Sequence, residues 1–208
     1  MKKSTSSSLP EIKHTNDLFA SEEFEHELFT GASAQKRSLR DKTFIDCRFH
    51  GCDFSHADFT GSLFEDCSFA ECNLSLAKLT DGRMRGVAFT QCKILGIVFS
   101  QCDTLTVDMS FSKCTLRNCN FSGLTLKKMR FTGCEIIDSD FVNVDLTEAD
   151  FSDAIFQDTE FNNANLTKAS FIDARGYAID PRSNKITKAQ FSMPEAISLV
   201  RYLGVVIK

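Results

Sequence analysis

The chain contains nine cysteines, and cysteine is its residue type with the largest range of possible reactions, because a thiolate binds zinc, forms disulfides and attacks electrophiles. All of them occupy one register, two residues before a position that recurs every five residues. The same register elsewhere holds small residues such as Ala57, Ser62 and Gly82. A position shared with small side chains indicates packing rather than catalysis. The basic start of the chain is followed by no apolar stretch of the kind a signal peptide needs, so we expect free thiols and a cytoplasmic location.

The other residue types that support catalysis or metal binding lack the required spacing. The four histidines are His14, His26, His50 and His56, and none has a cysteine or carboxylate partner at a metal-binding spacing. The sequence contains no Gly-rich phosphate loop and no nucleophile elbow. We therefore predict no catalytic residue, no metal site and no cofactor, and we do not expect an enzyme.

A large, mostly apolar residue recurs every five residues along most of the chain. Before a shift of two residues the centres are Phe44, Phe49, Phe54, Phe59, Phe64, Phe69, Leu74, Leu79, Met84, Phe89, Ile94, Phe99, Thr104 and Met109; after it they are Phe111, Leu116, Phe121, Leu126, Phe131, Ile136, Phe141, Leu146, Phe151, Phe156, Phe161, Leu166 and Phe171. All 20 phenylalanines lie in this frame. A period of five fits neither an α-helix nor a strand. The chain must therefore turn after every five residues, and each side contributes one large and one small residue to the interior.

Several segments resemble the A(D/N)LXX consensus of pentapeptide-repeat proteins, for example Ala149–Asp153 and Ala164–Lys168. The resemblance covers about residues 40–175. It implies an all-β fold, a right-handed quadrilateral parallel β-helix with four pentapeptides per coil and a short C-terminal α-helix as a cap. Successive coils would pair as parallel strands about 4.8 Å apart, so that residues four pentapeptides apart in the sequence stack.

That stacking groups the cysteines into columns. It brings together Cys52, Cys72 and Cys92, and separately Cys47 with Cys67 and Cys114 with Cys134. Side-by-side Cβ vectors suit a disulfide poorly, and a column does not converge tetrahedrally on a zinc ion. We predict that these thiols fill space in the core.

The later coils are acidic. Nine acidic residues and no Lys or Arg lie between Glu135 and Thr167. Stacking places Asp138 beside Asp158 and Asp140 beside Glu160, and these four are our candidate partner-binding residues. A ladder of carboxylates resembles the regular charge of a DNA duplex. The alternative is a solvated face, because Asp or Asn before the centre belongs to the consensus itself.

Irregular segments mark the boundaries that we predict. Residues 1–16 are expected to be disordered, 17–40 to form an N-terminal cap or first irregular coil, and 41–175 to form the solenoid, with a break near 109–111. Residues 176–191 are expected to form a hairpin and a final coil, and 192–208 a helix and tail.

The C-terminal helix has start and stop signals and an apolar side. Ser192 and Glu195 match a capping box, and a helix through Leu203 would end at Gly204. Ile197, Val200 and Leu203 give it an apolar side that we expect to cap the solenoid. The resemblance of this segment to Qnr-type members implies, in addition, a two-fold homodimer through the helix.

The composition of the chain argues against two classes of function, direct nucleic-acid binding and membrane spanning. The net charge of −4 argues against direct nucleic-acid binding, and no apolar run approaches the roughly 18 residues of a membrane span. One hypothesis is a protein-interaction scaffold with an unknown partner.

The other hypothesis comes from the resemblance to Qnr and MfpA proteins. It implies a DNA mimic that binds DNA gyrase or topoisomerase IV and modulates it or protects it from quinolones. The chain lacks the extra loops through which Qnr proteins contact the enzyme, and it carries the Asp180–Lys185 segment that they do not show. A continuous acidic face would favour the DNA mimic, whereas a mixed surface with an apolar patch would favour the scaffold.

Overall fold

The chain forms short strands linked by tight corners. The computed structural model describes residues 13–14, 17–103 and 107–205. The strands are β1 (Lys13–His14), β2 (Glu23–Glu25), β3 (Glu27–Thr30), β4 (Thr43–Ile45), β5 (Arg48–His50), β6 (Leu63–Glu65), β7 (Ser68–Ala70), β8 (Arg83–Arg85), β9 (Val87–Thr90), β10 (Lys93–Leu95), β11 (Met109–Ser112), β12 (Thr115–Arg117), β13 (Arg130–Thr132), β14 (Glu135–Ile137), β15 (Asp140–Val142), β16 (Ile155–Gln157), β17 (Glu160–Asn162), β18 (Ser170–Phe171) and β19 (Gln190–Phe191). A 3-10 turn spans Phe99–Gln101, and the helix α1 spans Ile197–Arg201.

The strands build a parallel β-solenoid of about eight coils, which confirms the predicted quadrilateral β-helix. In chain order each coil passes along four faces. Face 1 contains β2, β4, β6 and β8; face 2 contains β1, β3, β5, β7, β9, β11 and β13, continued by β18 and β19; face 3 contains β10, β12, β14 and β16; and face 4 contains β15 and β17. Face 3 is therefore opposite face 1.

A stack of nine phenylalanine rings runs along face 2 through the core. Its members are Phe29, Phe49, Phe69, Phe89, Phe111, Phe131, Phe151, Phe171 and Phe191, and neighbouring ring centroids lie 4.5–5.3 Å apart. Such offset pairs contribute about 0.5–1.5 kcal/mol beyond the burial of their surface. The stack explains the preference for Phe over Tyr, because a ring inside the coil has no partner for a hydroxyl.

The two-residue shift does not interrupt face 2. Val87 on β9 pairs with Met109 on β11, and this step along the chain is longer by two residues than the steps from β7 to β9 and from β11 to β13 on the same face. The backbone nitrogen of Asp103 still bonds the carbonyl of Gly82 in the ordinary register. The extra residues therefore lie between Asp103 and Met109, before the position near 109–111 at which we placed the break. Residues 104–106 fall outside the described part.

The hairpin predicted within residues 176–191 is wrong. Ile179 pairs in parallel with Phe161, and Lys185 pairs in parallel with Asn165, so both flanks continue the solenoid. Between them the chain makes a turn in which the backbone nitrogens of residues 183 and 184 donate to the carbonyl of Asp180. The flanks pair with the preceding coil because their inward side chains, such as the fully buried Ile179, are covered only in that position.

The predicted capping box is also wrong. The Ser192 hydroxyl accepts a hydrogen bond from the backbone nitrogen of Asp173, at 3.0 Å, and so serves the preceding coil. The helix starts later, at Ile197, and its first cap residue Ala196 makes no side-chain cap bond. The helix ends at Arg201, and a turn leads to Gly204, whose φ of 72° is the conformation expected where a helix stops.

Polar side chains close both ends of one column of inward residues, the one that lies two residues before each centre of face 1. At the N-terminal end, the buried Lys42 ammonium donates to the carbonyl of Ser21 and lies 3.4 Å from a Glu22 carboxylate oxygen. At the C-terminal end, the Asn184 amide nitrogen donates to the carbonyl of Phe161 at 2.9 Å. Its oxygen accepts from the backbone nitrogen of Ala164 at 2.9 Å. Between these ends the column holds small or apolar residues, so each polar group satisfies backbone atoms that no further coil would satisfy.

Asn184→Ala is expected to lower the free energy of unfolding by about 2–3 kcal/mol, because it leaves buried backbone groups without partners. Urea unfolding followed by circular dichroism measures this. Asn162→Ala is the matched control, since that amide is exposed and bonds only a neighbouring carboxylate. An equal loss in both variants would contradict the capping role of Asn184.

Candidate interaction surface

The thiols lie inside the solenoid. All nine cysteines are free and buried. One column is longer than expected, because the shifted register brings Cys92 over Cys114 and joins two predicted groups into a run of five: Cys52, Cys72, Cys92, Cys114 and Cys134. The backbone nitrogens of Cys52 and Cys92 each donate to the sulfur of the next cysteine in the column, at 3.4 Å.

These cysteines are placed for packing rather than reaction. Burial raises the pKa of the Cys102 and Cys119 thiols to about 12, so both carry their protons at neutral pH. Within residues 17–103 and 107–205, no group of three or more His, Cys, Asp or Glu side chains is arranged to hold a metal ion.

The four predicted carboxylates form one acidic patch, defined as Asp138, Asp140, Asp158 and Glu160. Asp140 on β15 pairs in register with Glu160 on β17. Asp138 and Asp158 stand at the corner between faces 3 and 4, with φ of 49° and 47°. All four are exposed, and none makes an ion pair with another described residue.

The acidic patch is only two coils tall. Towards the N-terminus the column of Asp140 continues as Asn120 and Val98. Two apolar residues flank the patch on face 3, namely Ile137, which is half-buried, and Ile155, which is 52% exposed. The patch is therefore a local acidic and apolar surface rather than a carboxylate ladder along the rod.

Other acids of the same segment are neutralised on face 1. Glu148 lies 2.9 Å from the Lys168 ammonium and 3.9 Å from that of Lys128, and the bond from Lys168 holds the pKa of Glu148 below its usual range. Asp145 lies 3.4 Å from the ammonium of Lys127, a pair that the stacking of equivalent repeat positions did not predict. Face 1 is thus balanced in charge, and the unpaired carboxylates lie elsewhere.

A second charged surface begins in the coil directly before the acidic patch and extends towards the N-terminus, and we call Lys78, Lys93 and Arg117 the basic patch. All three are exposed, and none makes an ion pair with a described residue. Lys93 is on β10 and Arg117 on β12 of face 3. Three apolar residues lie among them: Leu76, which is 49% exposed, Val98, which is 40% exposed, and the half-buried Leu95.

The residues predicted for the C-terminal helix do not all face the core. Ile197 and Val200 are half-buried, whereas Leu203 lies beyond the helix and is 60% exposed. Leu199 packs against the core and Met193 is 71% exposed. The end of the rod therefore keeps an uncovered apolar surface.

Comparison with known families agrees with the repeat geometry. A sequence profile described as "Pentapeptide repeat region" matches residues 42–109 and 107–171, which together cover more than half of the chain. The chain belongs to the pentapeptide-repeat family. The two matches meet at residues 107–109, where the structure accommodates the two-residue shift.

Solved structures of QnrB1 share this fold. Full-length QnrB1, a plasmid-mediated fluoroquinolone resistance protein, has a TM-score of 0.69 at 19% identity, over 93% of this chain and 96% of that one. A trypsin-treated variant of QnrB1 has a TM-score of 0.70 at 18% identity, over 95% and 96%. HetL, a pentapeptide-repeat protein involved in heterocyst differentiation regulation in the cyanobacterium Nostoc, has a TM-score of 0.48 at 15% identity, over 82% and 85%. No curated protein sequence matches this chain significantly.

In the described part of the chain, no helix is long and apolar enough to cross a membrane. The basic patch was not predicted, because Lys78, Lys93 and Arg117 occupy different outward positions of the repeat and do not stack on one another. The available signal was a leucine or valine at an outward position, as at Leu76 and Val98.

Proposed function

We propose that this pentapeptide-repeat protein is a non-enzymatic scaffold that binds a partner protein through the acidic patch and the apolar residues beside it. The observation that carries the proposal is the contrast within one acidic segment. Asp145 and Glu148 have lysine partners, whereas the four carboxylates of the acidic patch are exposed without one. Exposed charge next to Ile137 and Ile155 suits a protein surface that presents basic and apolar side chains.

Affinity capture from the source cells tests the proposal, with Asp158→Lys/Glu160→Lys as the test variant. A lysine is compatible with the corner conformation, since Lys128 and Lys168 adopt a positive φ at equivalent corners. The matched control is Asp81→Lys/Glu23→Lys, which also reverses one corner and one strand residue, both exposed. We expect the test variant to reduce a specific partner about tenfold or more and the control to leave it unchanged. Equal recovery of the same proteins by all three chains would refute the proposal.

A type II topoisomerase is the second candidate partner. The chain-long similarity to QnrB1, a fluoroquinolone resistance protein, favours it. The short acidic patch and the adjacent basic patch favour a protein interaction other than DNA mimicry. Gyrase supercoiling assays with and without a fluoroquinolone distinguish the two candidates. Inhibition by the purified protein, or relief of drug inhibition, would support the topoisomerase, and no effect at a large molar excess would exclude it for the enzyme tested.

The homodimer and the cytoplasmic location stay predictions. The exposed Leu203 is the residue through which the C-terminal end would contact a second copy. Leu203→Glu is expected to remove that contact and to leave the helix in place, because Leu199 packs against the core and Leu203 does not. Light scattering against concentration measures the effect, and an unchanged mass would contradict it.

A further inference from the structure

The corner between faces 3 and 4 carries a residue whose conformation is costly. Leu76 has a φ of 59°, whereas the other non-glycine residues with positive φ in the described chain are Asp, Asn, Glu, Gln, Lys or His. A left-handed conformation costs a leucine roughly 1 kcal/mol, and here the side chain is 49% exposed, so packing within the chain offsets little of that cost. The side chain lies over Gly96, where an added Cβ would come within 2.6 Å of the Leu76 methyl carbon.

Within the strands β10 to β16, face 3 changes the sign of its charge along the rod; beyond β16, the exposed Arg175 follows Ile155 on this face. Lys93 on β10 and Arg117 on β12 are followed, in the next coil, by Glu135 on β14 and Asp138 at its corner. Both halves contain exposed apolar residues: Leu76 and Val98 lie near the bases, and Ile155 lies near the acids. A surface with these two halves is complementary to itself when it is turned end over end.

We propose that a second copy of this chain docks on face 3 in an antiparallel orientation, so that the basic patch of each copy meets acidic residues of the other. A two-fold axis that crosses the face between β12 and β14 sets β12 against β14 and β10 against β16 of the copy. Arg117 then lies next to the Glu135–Asp138 segment of the other chain. Leu76 lies one coil before β10, at the margin of this contact. The pairing is isologous, as two-fold interfaces of identical chains are.

The size of this surface sets the strength of the pairing. The strands from β10 to β16 span four coils, on the order of 20 Å along the rod. Such an interface is at the small end of specific contacts, so we expect a transient pair with a dissociation constant of roughly 10 µM to 1 mM. This proposal goes beyond the partner-binding function. A second copy also covers Asp138 of the acidic patch, so self-pairing competes with partner binding there.

Complementary charge reversal tests the pairing by sedimentation velocity over a concentration series. One chain carries Lys93→Glu/Arg117→Glu and the other carries Glu135→Lys/Asp138→Lys, both in the Leu203→Glu background, which removes a C-terminal contact. We expect each variant alone to pair at least tenfold more weakly than Leu203→Glu alone, and an equimolar mixture to recover within about threefold. The control Lys185→Glu/Lys188→Glu changes the same charge on face 1, where both residues are exposed, and is expected to leave pairing unchanged.

Recovery in the mixture requires that opposite charges meet across two chains, which neither misfolding nor a contact at the end of the rod produces. Two results overturn the proposal: a monomer at every concentration up to about 1 mM in the Leu203→Glu chain, or pairing by each reversed variant alone that is as strong as in the Leu203→Glu chain. Neither result depends on an outside partner, so failure here and failure of the partner-binding proposal are separate.

Discussion

Phe111→Ala is expected to lower the free energy of unfolding by about 3–5 kcal/mol, the cost of removing a large side chain from a close-packed interior. Phe111 is fully buried at the middle of the face 2 stack. Its ring stacks on Phe89 at 5.1 Å and on Phe131 at 5.3 Å, and it meets the edges of Phe99 and Phe121. The truncation therefore removes contacts within the coil of Phe111 and with the coils on both sides of it.

The position of Phe111 gives this prediction a second part. Stability in a solenoid is a sum of coil and nearest-neighbour terms. Phe111 lies directly after the register shift, which face 1 accommodates, and its ring joins the two halves of the core alongside the β9–β11 and β10–β12 strand pairs. We expect urea unfolding of Phe111→Ala to show two transitions.

Phe191→Ala is the control for position along the rod. Phe191 stacks on Phe171 from one side only and is half-buried, so we expect a loss of about 1–2 kcal/mol and a single transition. Equal losses in the two variants, each with one transition, would contradict the proposed role of the stack in joining the halves.

At alkaline pH, the protein is expected to lose stability because its buried thiols resist ionisation. Burial raises the pKa of Cys102 and Cys119 from an ordinary value of 9.0 to about 12. Above pH 9 the unfolded chain releases these protons while the folded chain keeps them, so stability that is complete below pH 9 is lost as the pH rises towards 12. The loss at pH 10.5 is on the order of 2 kcal/mol for each thiol.

Urea unfolding at pH 7.5 and pH 10.5 measures this effect in the wild type and in Cys102→Ala/Cys119→Ala. The variant starts less stable, since both side chains fill the core, but it is expected to lose about 4 kcal/mol less between the two pH values. Lysine and tyrosine ionisation is common to both chains and cancels in the comparison. The same pH dependence in both proteins would show that these thiols are not buried as described.

The core was predictable from sequence because its determinants are periodic. Phe49, Phe69 and Phe89 recur at a fixed interval, and a large, mostly apolar residue at the centre of each pentapeptide leaves few alternative folds. The small inward column was equally clear. Lys42 stands in that column against the pattern, because at the edge of the solenoid its ammonium reaches out to the carbonyl of Ser21. Only the position of Lys42 relative to the end of the rod reveals that role.

The surface was predictable only in part. Asp138, Asp140, Asp158 and Glu160 do form one exposed group, since equivalent repeat positions of successive coils stack in that part of the rod. The acidic patch is short because Asn120 and Val98 continue one of its columns. Asn120 pairs with Asp140 in the ordinary register, and only the position of Val98 depends on the register across the two-residue shift. The basic patch also depends on the register, since it consists of residues from adjacent coils that are neighbours only in the folded rod.

The C-terminal segment shows where local signals fail. Ser192 and Glu195 have the spacing of a capping box, yet the Ser192 hydroxyl bonds the backbone of Asp173. Ser192 follows the inward Phe191, so the stacking of Phe191 on Phe171 places that hydroxyl at the edge of the preceding coil. The position of Ser192 in the fold, and not the local capping signal, therefore determines which backbone group its hydroxyl bonds.

Site-specific photo-cross-linking in living cells tests most directly the claim that the acidic patch is where a partner binds. A benzophenone amino acid replaces Glu160 on face 4 or, as the control, the exposed Lys185 on face 1. The account predicts an adduct with a protein other than this chain from position 160 and none from position 185. Adducts from position 185 alone, or the same adducts from both positions, would contradict it.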